Sequence, residues 1–391
     1  MTINSSAQKV VFLENTEIAY FYSDAEILTK YDGAETKIQA LEAFNEGKYF
    51  VYSAMGDDIT KVYSELTAEE FEDFYNEKNE NTEFTKGYTS ISYEVESDGG
   101  YTVVLSKVIN SFIDEFNSYY GFPIEDGGGK LKDYEVTIST DSNFLVTRVN
   151  VDYVFSNSSV SGNEIITFSN VNNAKKKINV INPEKYNKVE DARAVHICTS
   201  LLSDKKESKS ETLRFLFDQY VYSDGRSNKH SQNNKLSYGI DENGKYYFEL
   251  DSNIDGVKNT LSYINGIGIL NGEENDLIKY TDKEIKSIIS EFVNPFGLSV
   301  LNAKNITVSE ETRGTLYTLE LDDTRGTMLN FLKNTYASAG ANYKSSNLIL
   351  KFLVKDGELI SIMYRITGEG YVLPSYQIIN INIEVTIEFL N

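Results

Sequence analysis

The strongest constraint on this sequence is a set of motifs that returns in the same order. Gly47-Lys48-Tyr49-Phe50-Val51 recurs as Gly244-Lys245-Tyr246-Tyr247-Phe248, and Leu66-Thr67-Ala68-Glu69-Glu70-Phe71 as Tyr280-Thr281-Asp282-Lys283-Glu284-Ile285. Shared order with near-constant offsets predicts a tandem duplication. Each second motif is a T-x-x-E capping box, in which the Thr hydroxyl accepts from the N3 amide and the Glu reaches back to the cap amide. Apolar residues follow at i, i+3, i+4: Phe71, Phe74 and Tyr75, then Ile285, Ile288 and Ile289. That spacing predicts two helices with one buried face each, and Glu69, Glu70, Glu72 and Asp73 on the solvated side of the first.

The correspondence continues. Tyr101-Thr102-Val103-Val104-Leu105 matches Tyr317-Thr318-Leu319-Glu320-Leu321 as an alternating strand. Each strand leads into a second predicted helix, marked by Phe112, Ile113, Phe116 and Tyr120 in one half and Met328, Leu329, Leu332 and Tyr336 in the other. Both halves close in strands, at 134–138, 145–155 and 164–168 and at 348–354, 359–366 and 377–389. Asp356-Gly357 is a hairpin signal, and Ser142-Asn143 occupies the equivalent place. Ahead of the Gly-Lys-Tyr strands, residues 34–44 (Ile38, Leu41, Phe44) and 210–222 (Leu213, Leu216, Phe217, Tyr220) read as helices. Gly47 and Gly225 stand where a left-handed residue ends a helix. The second half carries extra loops at 223–232 and 264–274. The boundary falls in the Lys/Asn-rich stretch 172–188, near Pro183, giving domains 1–187 and 188–391. The expected fold class is α+β: two similar domains, each a curved, half-barrel-like antiparallel sheet with helices packed on one face.

Charge narrows the function. The 391 residues hold 59 Asp plus Glu against 37 Lys plus Arg, a formal charge of -22. A nucleic-acid binder must present Lys and Arg to phosphates, and the largest basic clusters, Lys175-Lys176-Lys177 and Lys205-Lys206, read as solvated loops. The same charge repels anionic membranes, so any membrane association is expected through an anchor outside this sequence. No stretch has the roughly 18 consecutive apolar residues of a membrane-spanning helix, and residues 1–9 lack the apolar centre of a signal peptide. An extracytoplasmic protein whose leader has been removed is the expected localisation, with a cytoplasmic one as the alternative.

Catalytic and metal motifs are few. Cys198 is the one cysteine and has no partner for an internal disulfide. His196-Ile197-Cys198 reads as a half-buried strand, at no zinc spacing. His230 lies in the polar run 227–235, read as a loop. With two histidines so placed, a nucleophile–base site has few candidate bases. Asp126-Gly127-Gly128-Gly129-Lys130 lacks phosphate-loop spacing and reads as a loop. Asp251-Ser252-Asn253-Ile254-Asp255-Gly256 offers Asp251, Asn253 and Asp255 as calcium ligands. Position 12 of that loop is Ser262, not Glu, and an ordinary polar turn explains the same string.

The segment Leu41-Glu42-Ala43-Phe44-Asn45-Glu46-Gly47-Lys48-Tyr49-Phe50 resembles the helix-to-first-strand entry of LolA/LppX-like bacterial envelope lipoprotein domains, and the order of elements in each half is similar to theirs. The resemblance implies a curved sheet around an apolar hollow that carries acyl chains. The candidate lining is Tyr101, Val103 and Leu105, with Tyr246, Phe248, Tyr317, Leu319 and Leu321. Helices filling that face completely are the competing expectation. The function expected is a non-enzymatic extracytoplasmic binding protein for an amphiphilic small molecule or an envelope protein, with no cofactor. A structural or adhesive surface protein with solid cores is the alternative, and an unrecognised hydrolase the third.

Overall fold

The computed structural model describes residues 2–14, 17–31, 34–55, 58–79, 88–108, 131–155, 161–167, 181–223, 226–241, 245–275, 277–322, 332, 341–372 and 375–390. The architecture is mostly antiparallel sheet with few helices. The chain divides into two compact units, residues 1–56 with 65–182, and residues 57–64 with 183–391.

Unit one begins with a meander of four strands, β1 (Thr2–Glu14), β2 (Glu17–Tyr31), β3 (Ala34–Asn45) and β4 (Lys48–Met55), each antiparallel to the next. Helix α1 (Ala68–Asn79) packs Phe71 against Phe21, Phe44 and Tyr49, with ring centroids 5.4, 4.5 and 5.5 Å away. Its capping box forms as expected: Glu70 N–H donates to Thr67 Oγ1 (3.2 Å) and Thr67 N–H to Glu70 Oε2 (2.8 Å). A second meander follows, β6 (Tyr88–Val95), β7 (Tyr101–Val108), β8 (Leu131–Thr140), β9 (Val146–Phe155) and β10 (Ser161–Thr167). The turn after β8 is an Asx turn, Asp141 Oδ1 accepting from Asn143 N–H and Leu145 N–H.

The helix predicted over 34–44 is strand β3. Its helix-forming residues are overridden by pairing on both edges, with β2 and with β4. Glu46 and Gly47 both have positive φ, 51° and 70°. They make the two-residue hairpin turn that a right-twisted strand pair requires, not a helix cap. The segment that carries the lipoprotein-domain resemblance is therefore a β-hairpin.

Unit two takes strand β5 (Asp58–Glu65), all but its last residue, which pairs in parallel with β11 (Asn187–Lys188). Ala192 N–H donates to Ser64 Oγ (3.0 Å), and Thr60 Oγ1 donates to the Leu301 carbonyl. Then come α2 (Ala194–Glu207), β12 (Glu211–Ser223), β13 (Arg226–Ile240), β14 (Tyr246–Ile254), β15 (Val257–Ile264), β16 (Ile267–Leu270), β17 (Glu273–Glu274), α3 (Asp282–Val293), β18 (Ala303–Glu311), β19 (Gly314–Leu321), β20 (Ala341–Lys355), β21 (Glu358–Val372) and β22 (Gln377–Phe389). These strands form one open sheet of eleven, ordered β17-β16-β15-β14-β13-β12-β22-β21-β20-β19-β18.

One face of this sheet is apolar. Leu213, Leu236, Leu319, Leu350, Ile362, Ile383 and Val385 are fully or almost fully buried on it. Ile285, Ile289 and Val293 of α3 are buried, Phe292 lies edge-on to Phe215 (5.4 Å), and Tyr364 Oη donates to the Val293 carbonyl (2.8 Å). The α3 capping box is complete at Thr281 and Glu284. Leu332, from the second helix predicted here, is fully buried. A Cβ on Gly368 would come within 2.7 Å of Leu332 Cδ1, so glycine makes room for it. The remaining residues of that helix stretch, Met328, Leu329 and Tyr336, lie outside the described residues, as do Phe112, Ile113, Phe116 and Tyr120, the loop 126–130, Lys175 to Lys177 and Gly225.

Several further expectations are corrected here. Residues 210–222 form β12, not a helix. Leu213, Phe215 and Phe217 face one side and Leu216, Tyr220 and Tyr222 the other, and apolar residues on both faces imitate an i, i+3, i+4, i+7 stripe. The loops expected at 223–232 and 264–274 are largely strand, including β16, and His230 lies in β13. Asn265-Gly266 and Asn271-Gly272, all with positive φ, are the tight turns that link β15, β16 and β17. His196 to Cys198 belong to α2, not a strand. Lys205 and Lys206 are in its last turn, Lys205 paired with Glu211 at 2.8 Å and 4.6 Å above the Phe389 ring.

Ile289→Ala is expected to cost about 2–5 kcal/mol and Thr281→Ala about 0.5–2 kcal/mol in urea unfolding. Equal small losses would show that α3 contributes no shared core.

Candidate functional site

The residues expected to line an apolar hollow fall in three places. Tyr101, Val103 and Leu105 lie on β7 of unit one, opposite Val95, Tyr93 and Ile91 of β6 and Thr140, Ile138 and Val136 of β8. Leu105 is buried and Tyr101 stacks on Phe144 at 5.0 Å. In unit two, Tyr246 and Phe248 are on β14, while Tyr317, Leu319 and Leu321 are on β19. Five strands separate β14 from β19 in the sheet, roughly 29 Å at the usual strand spacing. The fold therefore does not assemble these two sets into one site. Phe248, Leu319 and Leu321 are 1%, 0% and 2% exposed. Phe248 is covered by Tyr280 (5.4 Å), Lys286 of α3 stands 5.4 Å above the Tyr246 ring, and Leu319 is in register between Ile306 and Leu350. Burial also pushes up the Tyr317 hydroxyl pKa.

Of the three candidate calcium ligands, Asp251 and Asn253 lie in β14, in register with Lys235 and Asn233 of β13. Asp255 starts the β14–β15 turn, with Asp255 and Gly256 both at positive φ. Its carboxylate accepts from Ser231 N–H (2.8 Å) and pairs with His230 Nδ1. The Ser231 amide first, then His230, hold the Asp255 carboxyl below the ordinary carboxylate range. Among the described residues no group of three or more His, Cys, Asp or Glu is placed to hold a metal ion. The His230–Asp255 pair escapes a linear reading because the β13–β14 register creates it across 25 positions.

The opposite face of the eleven-stranded sheet carries a groove of about 470 Å³. Strands β20, β21, β22 and β12 present it side by side. The polar lining is Ser346, Asn347, Arg365, Thr367, Glu369, Asn380 and Asn382, and Tyr222 forms one wall. Their order follows from register: Asn347 pairs with Thr367, Thr367 with Asn382, and Glu369 and Tyr222 both with Asn380. Tyr222 is 45% exposed and stacks on Tyr220, with centroids 6.3 Å apart. Asn382 Oδ1 is buried and has no hydrogen-bond partner among the described residues. An orphan acceptor of this kind costs about 1–3 kcal/mol. The helix expected over 210–222 hides the groove from a linear pattern, because it removes Tyr222 from the sheet. The visible signal was the alternation Ile379-Asn380-Ile381-Asn382-Ile383, which puts amides on one face of a strand whose other face is core.

Burial pushes the Cys198 thiol well above its ordinary pKa. Slow labelling by a thiol-reactive dye in the native protein and complete labelling on unfolding are expected, since the thiolate is the reactive form. For Asp255, a depressed folded pKa lends stability that is complete above the unfolded value and is lost as pH falls through the folded one. Asp255→Asn should flatten that acidic limb in unfolding midpoints taken from about pH 5 to pH 2. An unchanged limb would show that the His230–Asp255 pair contributes nothing.

No family model matches the chain, and no curated protein matches it. Among solved structures it is similar to a DUF1329 family protein from Desulfovibrio piger, at 8% identity and a TM-score of 0.18, over 51% of this chain and 90% of that one. It is similar to a putative outer membrane lipoprotein-sorting protein domain from Vibrio parahaemolyticus, at 8% identity and 0.18, over 50% and 92%. It is also similar to a protein with unknown function of the DUF3598 family from Nostoc punctiforme, at 8% identity and 0.14, over 100% and 96%.

Proposed function

We propose that this chain is a non-catalytic binding protein of a bacterial cell envelope, acting outside the cytoplasm, which takes its amphiphilic ligand or envelope partner through the polar groove on the outer face of the eleven-stranded sheet. The observation that carries this reading is the groove itself: about 470 Å³, within the roughly 300–1,000 Å³ of small-molecule sites, with convergent amides and an unpartnered buried acceptor. Among the described residues its lining holds no histidine or cysteine and a single carboxylate, Glu369. A nucleophile–base pair and the paired carboxylates of glycoside hydrolysis are both missing from that set, so recognition fits the groove better than turnover.

The finer fold reading belongs to the same proposal. Each half is taken as one copy of a duplicated α+β domain with helices against one face of its sheet. Support comes from the two formed capping boxes and from the matching order of β6 to β10 and β18 to β22 after them.

Native mass spectrometry of the protein recovered from its own host tests the function. A co-purifying envelope component is expected in the wild type, and its loss in Arg365→Ala is expected to follow. Protein that arrives empty from envelope and cytosolic fractions alike, and takes up nothing from an envelope extract, would refute the reading.

A further inference from the structure

Resting on the groove assignment above, we propose that its ligand is a neutral polyhydroxylated one, the sugar portion of a glycan. The first reason is charge. Among the described residues, Arg365 and Glu369 are the only charged ones of the lining and cancel. Arg365 lies across from Glu384 of β22, and Glu384 across from Asp218 of β12, which Lys229 holds at 2.9 Å. A phosphate or carboxylate entering here would meet Glu369 at one end and Glu384 beside the arginine at the other. An ammonium group would meet Arg365. The lining itself favours neither charge sign, and a neutral ligand avoids both conflicts.

The second reason is the type of polar group. Asn347, Asn380 and Asn382 each offer a carbonyl acceptor and an amide donor on one short, planar side chain, and Thr367 adds a hydroxyl that does both. A sugar hydroxyl also donates and accepts at once, so a row of hydroxyls satisfies such a set where a lipid tail leaves it unpaired. Asn382 Oδ1 has no partner among the described residues and no solvent-accessible surface, so a ligand hydroxyl reaches it once the Asn382 amide rotates toward the groove. The third reason is Tyr222. Its ring, 45% exposed and within 15° of parallel to Tyr220, has an electron-rich face that suits the weakly positive C–H edge of a pyranose. The groove crosses four neighbouring strands, about 14 Å, enough for a short oligosaccharide.

A sugar of this chemistry is either a free glycan or the headgroup of a glycolipid, and the experiment separates them. The full chain, Tyr222→Ala and Asn382→Ala are applied to a microarray of neutral oligosaccharides, with calorimetric titration of the hits. They are also floated with phosphatidylethanolamine vesicles with and without diglucosyl-diacylglycerol. Wild-type binding is expected to resist added salt and to weaken about tenfold in each variant, with urea midpoints showing that both variants fold. Tyr222 is exposed, so Tyr222→Ala decides the matter even where Asn382→Ala unfolds. Binding to free oligosaccharide identifies a soluble glycan, and binding only to glycolipid vesicles identifies a headgroup. Either supports the proposal. Silence in both arms, binding that the variants leave unchanged, or equal capture by sugar-free vesicles overturns it. A host-derived envelope adduct without sugar mass would leave the broader binding function standing and remove this inference alone.

Discussion

Unit two depends on the pairing of β12 with β22. The ladder runs from Leu213 opposite Phe389 to Ser223 opposite Ile379 and joins the meander β12–β17 to the meander β18–β22. Without it the eleven strands are two smaller sheets, each with a raw edge at a 13-residue strand. With it, Leu213, Phe215, Ile383, Val385 and Ile387 become one continuous apolar surface. The contact closes a loop of well over a hundred residues, so it carries a large share of the ordering entropy and belongs among the slow, non-local steps of folding.

The same ladder determines what the other face does. Because side chains alternate, a register that buries Val385 and Ile387 must turn Asn380 and Asn382 outward, next to Tyr222 of β12. A slip of one residue would exchange the two faces and bury the amides. Groove and core are therefore two outcomes of one register. The apolar face is covered by α3, whose Val293 carbonyl accepts from Tyr364 Oη, and the amide face carries the unpartnered Oδ1 of Asn382.

The sheet's far edge is managed locally. Glu190 N–H donates to the Ile306 carbonyl, Glu190 Oε2 accepts from Val308 N–H (2.6 Å), and Asn187 Nδ2 donates to the Lys304 carbonyl. These bonds satisfy backbone groups that β18 would otherwise present to another chain. The residues involved lie in the polar segment before α2, where a linear reading sees only a linker.

Short-range signals were legible in the sequence alone: the two T-x-x-E helix starts, the Asp-Gly turn at 356–357, the alternation of 101–105 and 317–321, and the closing strands of both halves. Each is encoded within a few residues, by a side chain that caps its own helix or a backbone that tolerates positive φ. Tertiary structure decided what depends on partners far along the chain. Residues 34–44 and 210–222 carry helix-compatible patterns, and only strands on both sides make them β3 and β12. The candidates Tyr246, Phe248, Tyr317, Leu319 and Leu321 were correctly read as apolar strand residues, yet their separation across the sheet follows from strand order, which no local pattern specifies. The groove at Tyr222, Arg365, Glu369, Asn380 and Asn382 is the same kind of fact. Its residues come from strands more than a hundred positions apart, and they meet because backbone hydrogen bonding, indifferent to side-chain identity, sets the register that brings them to one face.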